Sequence, residues 1–195
     1  MWDEALKWTW KNKEWIGGRI SDIRSWFSRN NEEAGKILIL GPGGVGKSTL
    51  ARMLCKEYDG LVNVPGEYDE SLSVESYTLD DDKTEIVVPP GQKHRREATW
   101  TELLADVASG QYRGIIVMLA YGHHSLGDIS YKQHKLYETG DTKAAFLPKY
   151  CQHQRADEIR VVEQIVQQLK LVTTKTWMLS VVTKEDLWWK NRDEV

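Results

Sequence analysis

Lys36-Ile37-Leu38-Ile39-Leu40 runs directly into Gly41-Pro42-Gly43-Gly44-Val45-Gly46-Lys47-Ser48-Thr49. The first part is a short apolar run with no polar face, which reads as a strand buried on both sides, the kind found in parallel sheets. The second part fits G-x-x-x-x-G-K-[ST]. A helical period follows over Ser48–Tyr58, with Leu50, Met53 and Leu54 expected to point inward. Strand, loop and helix in that order are the context this motif requires. The chemistry accounts for each residue type. Glycines let successive backbone N–H groups turn toward one anion, and the helix adds its positive dipole end. A lysine reaches the outer phosphates, and a hydroxyl ligates Mg²⁺. The candidate phosphate-binding residues are therefore Gly41, Gly43, Gly44, Val45, Gly46, Lys47, Ser48 and Thr49, with Lys47 also a catalytic candidate and Ser48 the candidate metal ligand.

Working outward, Leu72–Leu79 and Thr84–Val88 read as strands joined by the acidic turn Asp80-Asp81-Asp82. Glu97–Ser109 reads as a helix with Trp100, Leu103, Leu104 and Val107 on one stripe, and Gly114–Tyr121 as a buried strand. Residues 122–155 read as irregular and polar. Asp157–Leu171 is periodic through Ile159, Val162, Ile165 (or Val166) and Leu169, with Asp157 and Glu158 suited to a helix N-terminal dipole. Thr176–Val182 is the last strand. Strands alternating with helices predict an α/β fold: a P-loop three-layer sandwich, mostly parallel, with helices on both faces.

The chain has 195 residues, 41% hydrophobic and 28% charged, with a formal net charge of -3. That size and balance suit one globular domain and exclude a disordered tail or a disulfide-built miniprotein. No global basic field calls for nucleic acid. Cys55 and Cys151 are far apart and form no metal or redox spacing, which points to a reducing compartment. The longest apolar runs, Ile37–Leu40 and Ile115–Tyr121, are far short of the ~18–20 residues of a membrane span. The N-terminus lacks a signal-peptide pattern, so the expected location is cytoplasmic. Tryptophans concentrate near the start (Trp2, Trp8, Trp10, Trp15, Trp26), where Trp2, Leu6, Trp10, Ile16, Ile20, Ile23 and Phe27 recur at helical steps broken at Gly17-Gly18. Residues 1–30 are thus expected to be a Trp-rich helical extension packed on the domain or on a partner. Its Trp and basic residues keep peripheral membrane contact open as an alternative.

Two segments bear on which nucleotide would bind. Thr183-Lys184-Glu185-Asp186 follows the last apolar strand and matches [NT]-K-x-D, and an aspartate there can accept from the N1 and N2 donors of guanine, which adenine does not offer. It also lies at the carboxyl end of a buried strand, where open α/β sheets bind ligands. Val88-Pro89-Pro90-Gly91-Gln92 resembles the D-x-x-G-Q segment of Ras-like, Arf-like and Gα GTPases, at a similar distance from Lys47. With the loop, these segments make residues 36–186 resemble a divergent Ras-like P-loop GTPase. The resemblance implies that Gly91 gives its N–H to the γ-phosphate, that Gln92 orients the attacking water, that Thr183, Lys184 and Asp186 hold guanine, and that GTP or GDP binds with Mg²⁺ and GTP is slowly hydrolysed, as a switch or assembly regulator.

The chain departs from that pattern in four places. Val88 stands where the family has an aspartate serving Mg²⁺. No threonine occurs from Leu50 to Tyr77 to act as the switch residue; Ser71, Ser73 and Ser76 offer hydroxyls, and Glu67, Asp69 and Glu70 are acids that could take over at the metal. Few residues follow Asp186, so the family's last motif, strand and helix are expected to be missing from domain 36–195. Residues 122–155 read as an insert, a lid or partner-docking loop, whose His123, His124, His134, Cys151 and His153 are a loose candidate zinc set. A protein partner or a second copy is expected to dock through this insert or the N-terminal helix. Arg95 and Arg96 could act as a finger in cis, although such a pair is more often solvated. Two other readings remain: a degenerate nucleotide-binding module without turnover, and an ATP-binding NACHT/NB-ARC-like oligomerisation module, whose phosphate loop this one resembles. Against the latter, Ile115–Tyr121 does not end in carboxylates.

Overall fold

The computed structural model describes residue 22 and residues 35–55, 71–79, 84–124, 130–172 and 175–188; the side chains of residues 97 and 186 lie outside the description. The expected N-terminal helical extension falls outside it too, apart from Asp22. The elements are β1 Gly35–Leu40, α1 Lys47–Leu54, β2 Glu75–Thr78, β3 Thr84–Val88, α2 Lys93–Ala108, β4 Tyr112–Leu119, a 3₁₀ turn Tyr131–Gln133, α3 Lys143–Leu169, β5 Trp177–Val182 and α4 Glu185–Trp188.

The five strands form one sheet in the order β2-β3-β1-β4-β5. β1 pairs in parallel with β3 and β4, and β4 with β5; β2 is antiparallel to β3. β1 shows why its sequence has no polar face. Ile37 and Ile39 pack with Ile86, Val88, Ile116 and Met118 under Leu50, Ala51 and Leu54 of α1. Leu38 and Leu40 point the other way, packing with Val87, Ile115 and Val117 under Trp100, Leu104 and Val107 of α2 and Val161 and Ile165 of α3. Helices thus cover both faces, which makes the three-layer α/β sandwich expected from the sequence. Trp100 is fully buried, and its indole N–H donates to the Pro90 carbonyl at 3.1 Å. The ring therefore adds apolar area without leaving an orphan donor.

Several expectations about the elements need correction. Residues 143–155 are not irregular: they form the first half of the 27-residue helix α3, capped by Thr142, whose hydroxyl accepts from the Ala145 N–H. Pro148 and the polar run Gln152–Ala156 hide the stripe Phe146–Tyr150 that anchors this half, both residues being buried. Asp157 and Glu158 consequently sit mid-helix and not at a helix N-terminus. The inward row of α3 is Glu158, Val161 and Ile165, while Ile159 and Val166 face solvent. α2 begins at Lys93, one turn before the expected Glu97, because Gln92 starts it as an extended N-cap. β2 is confined to Glu75–Thr78, shorter than the expected strand.

Candidate functional site

The loop between β1 and α1 lies at the carboxyl end of the central strand. Gly46 is its N-cap and adopts φ 95°, a left-handed conformation that favours glycine. Gly41, Gly43, Gly44 and Val45 precede it, and Lys47, Ser48 and Thr49 open α1. The Lys47 ammonium is buried and donates to the Pro42 carbonyl at 3.0 Å. Burial, and secondarily the nearby Arg96 guanidinium, push it down to about 7, with Glu75 pulling the other way. A lysine in this state is poised to gain from an anion brought to the loop.

On the α1 side, the Ser48 hydroxyl lies 3.1 Å from the Ser71 hydroxyl. Glu75 stands beside both. Hydrogen bonds from Ser71, Tyr77 and Ser48 hold its carboxyl below the usual range in spite of partial burial. The Tyr77 hydroxyl donates to Glu75 Oε2 at 2.5 Å and accepts from Arg52 Nε at 3.2 Å. The set of Ser48, Ser71 and Glu75 is all hard oxygen, which fits Mg²⁺. Glu75 was not among the acids singled out from the sequence, since only its pairing across β3 brings it here. Glu67, Asp69 and Glu70 lie outside the described residues.

On the other side, Gly91 approaches the loop so closely that a Cβ there would stand 2.3 Å from Lys47 Nζ, 2.5 Å from Pro42 C and 2.6 Å from Gly43 N. The Gln92 side chain lies against Gly43: a Cβ on that glycine would be 3.4 Å from Gln92 Cγ. Both residues border a cavity of about 420 Å³, lined also by Lys93, Lys135, Arg160 and Asp157 with His124, His134 and His153. Burial, followed by Lys135, lowers the titration of His134 and of His153, so both favour the neutral imidazole. The lysines and the arginine give this cavity a cationic wall suited to an anion. The Arg95-Arg96 pair is not a solvated patch. Arg95 donates to the Leu72 carbonyl at 2.8 Å, and the buried Arg96 bonds both Asp157 oxygens at 3.0 Å, tying α2 to α3.

The Thr183–Asp186 segment also reaches the loop. The Thr183 hydroxyl lies 2.8 Å from the Val45 carbonyl and 3.0 Å from the Leu119 carbonyl, sharing its proton between them. Lys184, at φ 58°, donates to the His123 carbonyl at 2.6 Å. The buried Trp188 donates to the Thr183 carbonyl at 2.6 Å. Asp186 lies in the backbone of α4, with its side chain outside the description. Glu158, which the sequence reading assigned to a helix dipole, instead organises the turn after β4. Its carboxylate accepts from the Ala120 and Gly122 amides at 2.6 and 3.0 Å and pairs with His124 Nε2 at 2.8 Å. The loose zinc set is dispersed: His123 meets Cys151 at 3.5 Å, His124 turns to Glu158, and the His134 ring packs edge-on against Phe146 and Tyr150. Among the described residues, no three His, Cys, Asp or Glu side chains gather as a metal site.

No protein-family model matches the sequence, and no curated protein does. Among solved structures, the chain is similar to an ADP-ribosylation-factor-like GTP-binding protein, the small COPII coat GTPase of Encephalitozoon cuniculi, determined in complex with GDP. The match has a TM-score of 0.42 and 14% identity, covering 93% of this chain and 68% of that one. At this distance the α/β assignment rests on the chain's own strand order, its two helical layers and its loop. Among the described residues, no helix is long and apolar enough to cross a membrane.

Proposed function

We propose that this chain is a guanine-nucleotide-binding domain that takes GTP and GDP with Mg²⁺ and hydrolyses GTP slowly, as a switch or assembly regulator. The observation that carries this reading is the hydrogen bond from the Thr183 hydroxyl to the Val45 carbonyl, which joins the segment suited to guanine to the phosphate-binding loop. Lys47 exchanges its bond to Pro42 for the outer phosphates and is fully charged there. Ser48 holds Mg²⁺, which when bound neutralises phosphate charge. Gly91 offers its N–H from beside Lys47. Gln92, lying against Gly43, orients a water for in-line attack. Thr183 and Lys184 order the base segment, and Asp186 accepts from guanine. Partners dock through the N-terminal extension or the segment after β4, and a cytoplasmic location with peripheral membrane contact fits that extension.

The test is calorimetry of GTP, GDP and ATP binding, with and without Mg²⁺, on wild type and Asp186→Ala. Guanine preference lost in Asp186→Ala is the expected result; ATP preference unaffected by it overturns the reading. A second reading, binding without turnover, is favoured by Val88, which is wholly buried and brings no carboxylate to the metal. Single-turnover assays of loaded GTP separate the two.

A further inference from the structure

The loss of an acid at position 88 leaves the expected Mg²⁺ without its usual carboxylate, yet the sheet brings another to the same end. Val88 is the last residue of β3, and Glu75 is the first of the antiparallel β2; they are direct partners in the register. Partners in an antiparallel pair project from the same face. Val88 and Ile86 pack in the layer under α1, as does Tyr77, which follows Glu75 on its own face. Glu75 is therefore on the α1 face, where Ser48 begins the helix.

Hydroxyls complete the arrangement. Ser71, just before β2, brings its side chain to 3.1 Å from Ser48. Tyr77 fixes one Glu75 oxygen at 2.5 Å and is itself held by Arg52, one helical turn beyond Ser48. We infer that Glu75 supplies the carboxylate of the Mg²⁺ site from the strand beside Val88, with Ser71 contributing the hydroxyl that the missing switch threonine would have given. The donor chemistry is that of a magnesium site: one carboxylate and two hydroxyls, none of them sulfur or imidazole. The burial of Val88 then follows simply, since the acid has moved one strand over and position 88 serves the core.

The inference rests on the nucleotide-binding reading, and its test separates the two. The GDP complexes of wild type, Glu75→Gln and Glu85→Gln are titrated with Mn²⁺, and free Mn²⁺ is followed by its electron paramagnetic resonance signal; GDP affinity in EDTA is measured in parallel. Glu85 is a control acid on β3, paired with Lys36. The expected result is a loss of at least about tenfold in Mn²⁺ affinity for Glu75→Gln, the usual cost of disturbing a metal's supporting carboxylate. Glu85→Gln should match wild type, and GDP affinity in EDTA, read in parallel, separates a loss of metal from a loss of nucleotide. Equal Mn²⁺ affinity in wild type and Glu75→Gln, or an equal loss in both variants, overturns the inference while leaving nucleotide binding standing. Absence of GDP binding by wild type overturns the parent reading and this one with it. If Glu75 merely anchored Tyr77 and Arg52, Glu75→Gln would lower the melting temperature without changing Mn²⁺ affinity, which also refutes it.

Discussion

The two sides of the loop between β1 and α1 are built from opposite materials. Toward α1 and β2 stand hydroxyls and one carboxylate, Ser48, Ser71, Tyr77 and Glu75, linked to one another and anchored by Arg52. Toward α2 and α3 stand Lys93, Lys135, Arg160 and three histidines around a cavity, where the Asp157 carboxylate is held by Arg96. One side suits a metal ion and the other suits an anion, and Lys47 lies between them. Its depressed ammonium registers both neighbours, since Arg96 pushes it down and Glu75 holds it up.

This contrast can be broken in order of expected effect. Lys47→Met should weaken GDP binding by more than about a hundredfold, about 3 kcal/mol, through loss of a charge-assisted contact. The same variant should raise the melting temperature of the free chain, because it removes a buried ammonium; a fall would show that the amine is held favourably. On the anion-suited side, Asp157→Asn leaves the buried Arg96 with no carboxylate. It should cost about 3 kcal/mol in urea unfolding, and unchanged stability would mean that α2 and α3 do not depend on this pair. Glu158→Gln should cost about 1–2 kcal/mol and speed hydrogen exchange at the Ala120 and Gly122 amides; protected amides would place their anchor elsewhere.

A further effect is on pH. Lys47 titrates at about 7 in the folded chain against 10.5 for an ordinary lysine. The unfolded chain therefore binds the extra proton between those values, and the free protein should gain stability as pH rises from about 7 to 10.5. Phosphate binding demands the charged form. Nucleotide binding near pH 8 should thus take up close to one proton, and affinity should fall by up to about tenfold per pH unit above 7. Calorimetry in two buffers of different ionisation enthalpy reads this directly. Binding with no proton uptake would remove Lys47 from the junction between the two sides.

Legibility in the sequence followed the range of the interaction. The strand, loop and helix at Lys36–Leu54 were plain because every requirement is local: apolar run, glycines, lysine, hydroxyl. The sheet was legible for the same reason at β1, β3 and β4, whose apolar runs are buried; β5, expected to be a buried strand, lies at the sheet edge with no residue fully buried. Helix α3 was half hidden, because Pro148 and a polar run interrupt the stripe that Phe146 and Tyr150 continue. Glu75 and Glu158 were misjudged or missed for a different reason. A carboxylate looks alike in sequence whether it faces water or a buried amide, and only register or helix phase decides. Arg96 shows the same limit, reading as a surface charge while lying 6% exposed against Trp100 and Asp157.

The bond between Thr183 and Val45 spans 138 residues of chain. During synthesis at roughly 5–20 residues per second, the loop leaves the ribosome about 7–28 seconds before the segment that fastens it. Throughout that interval the loop lacks this anchor, and the loop-closure entropy of so long a separation must be met before the link forms. The nascent chain therefore exposes the strand, loop and helix at Lys36–Leu54 early, and gains the Thr183 anchor of Val45 only after β5 has emerged.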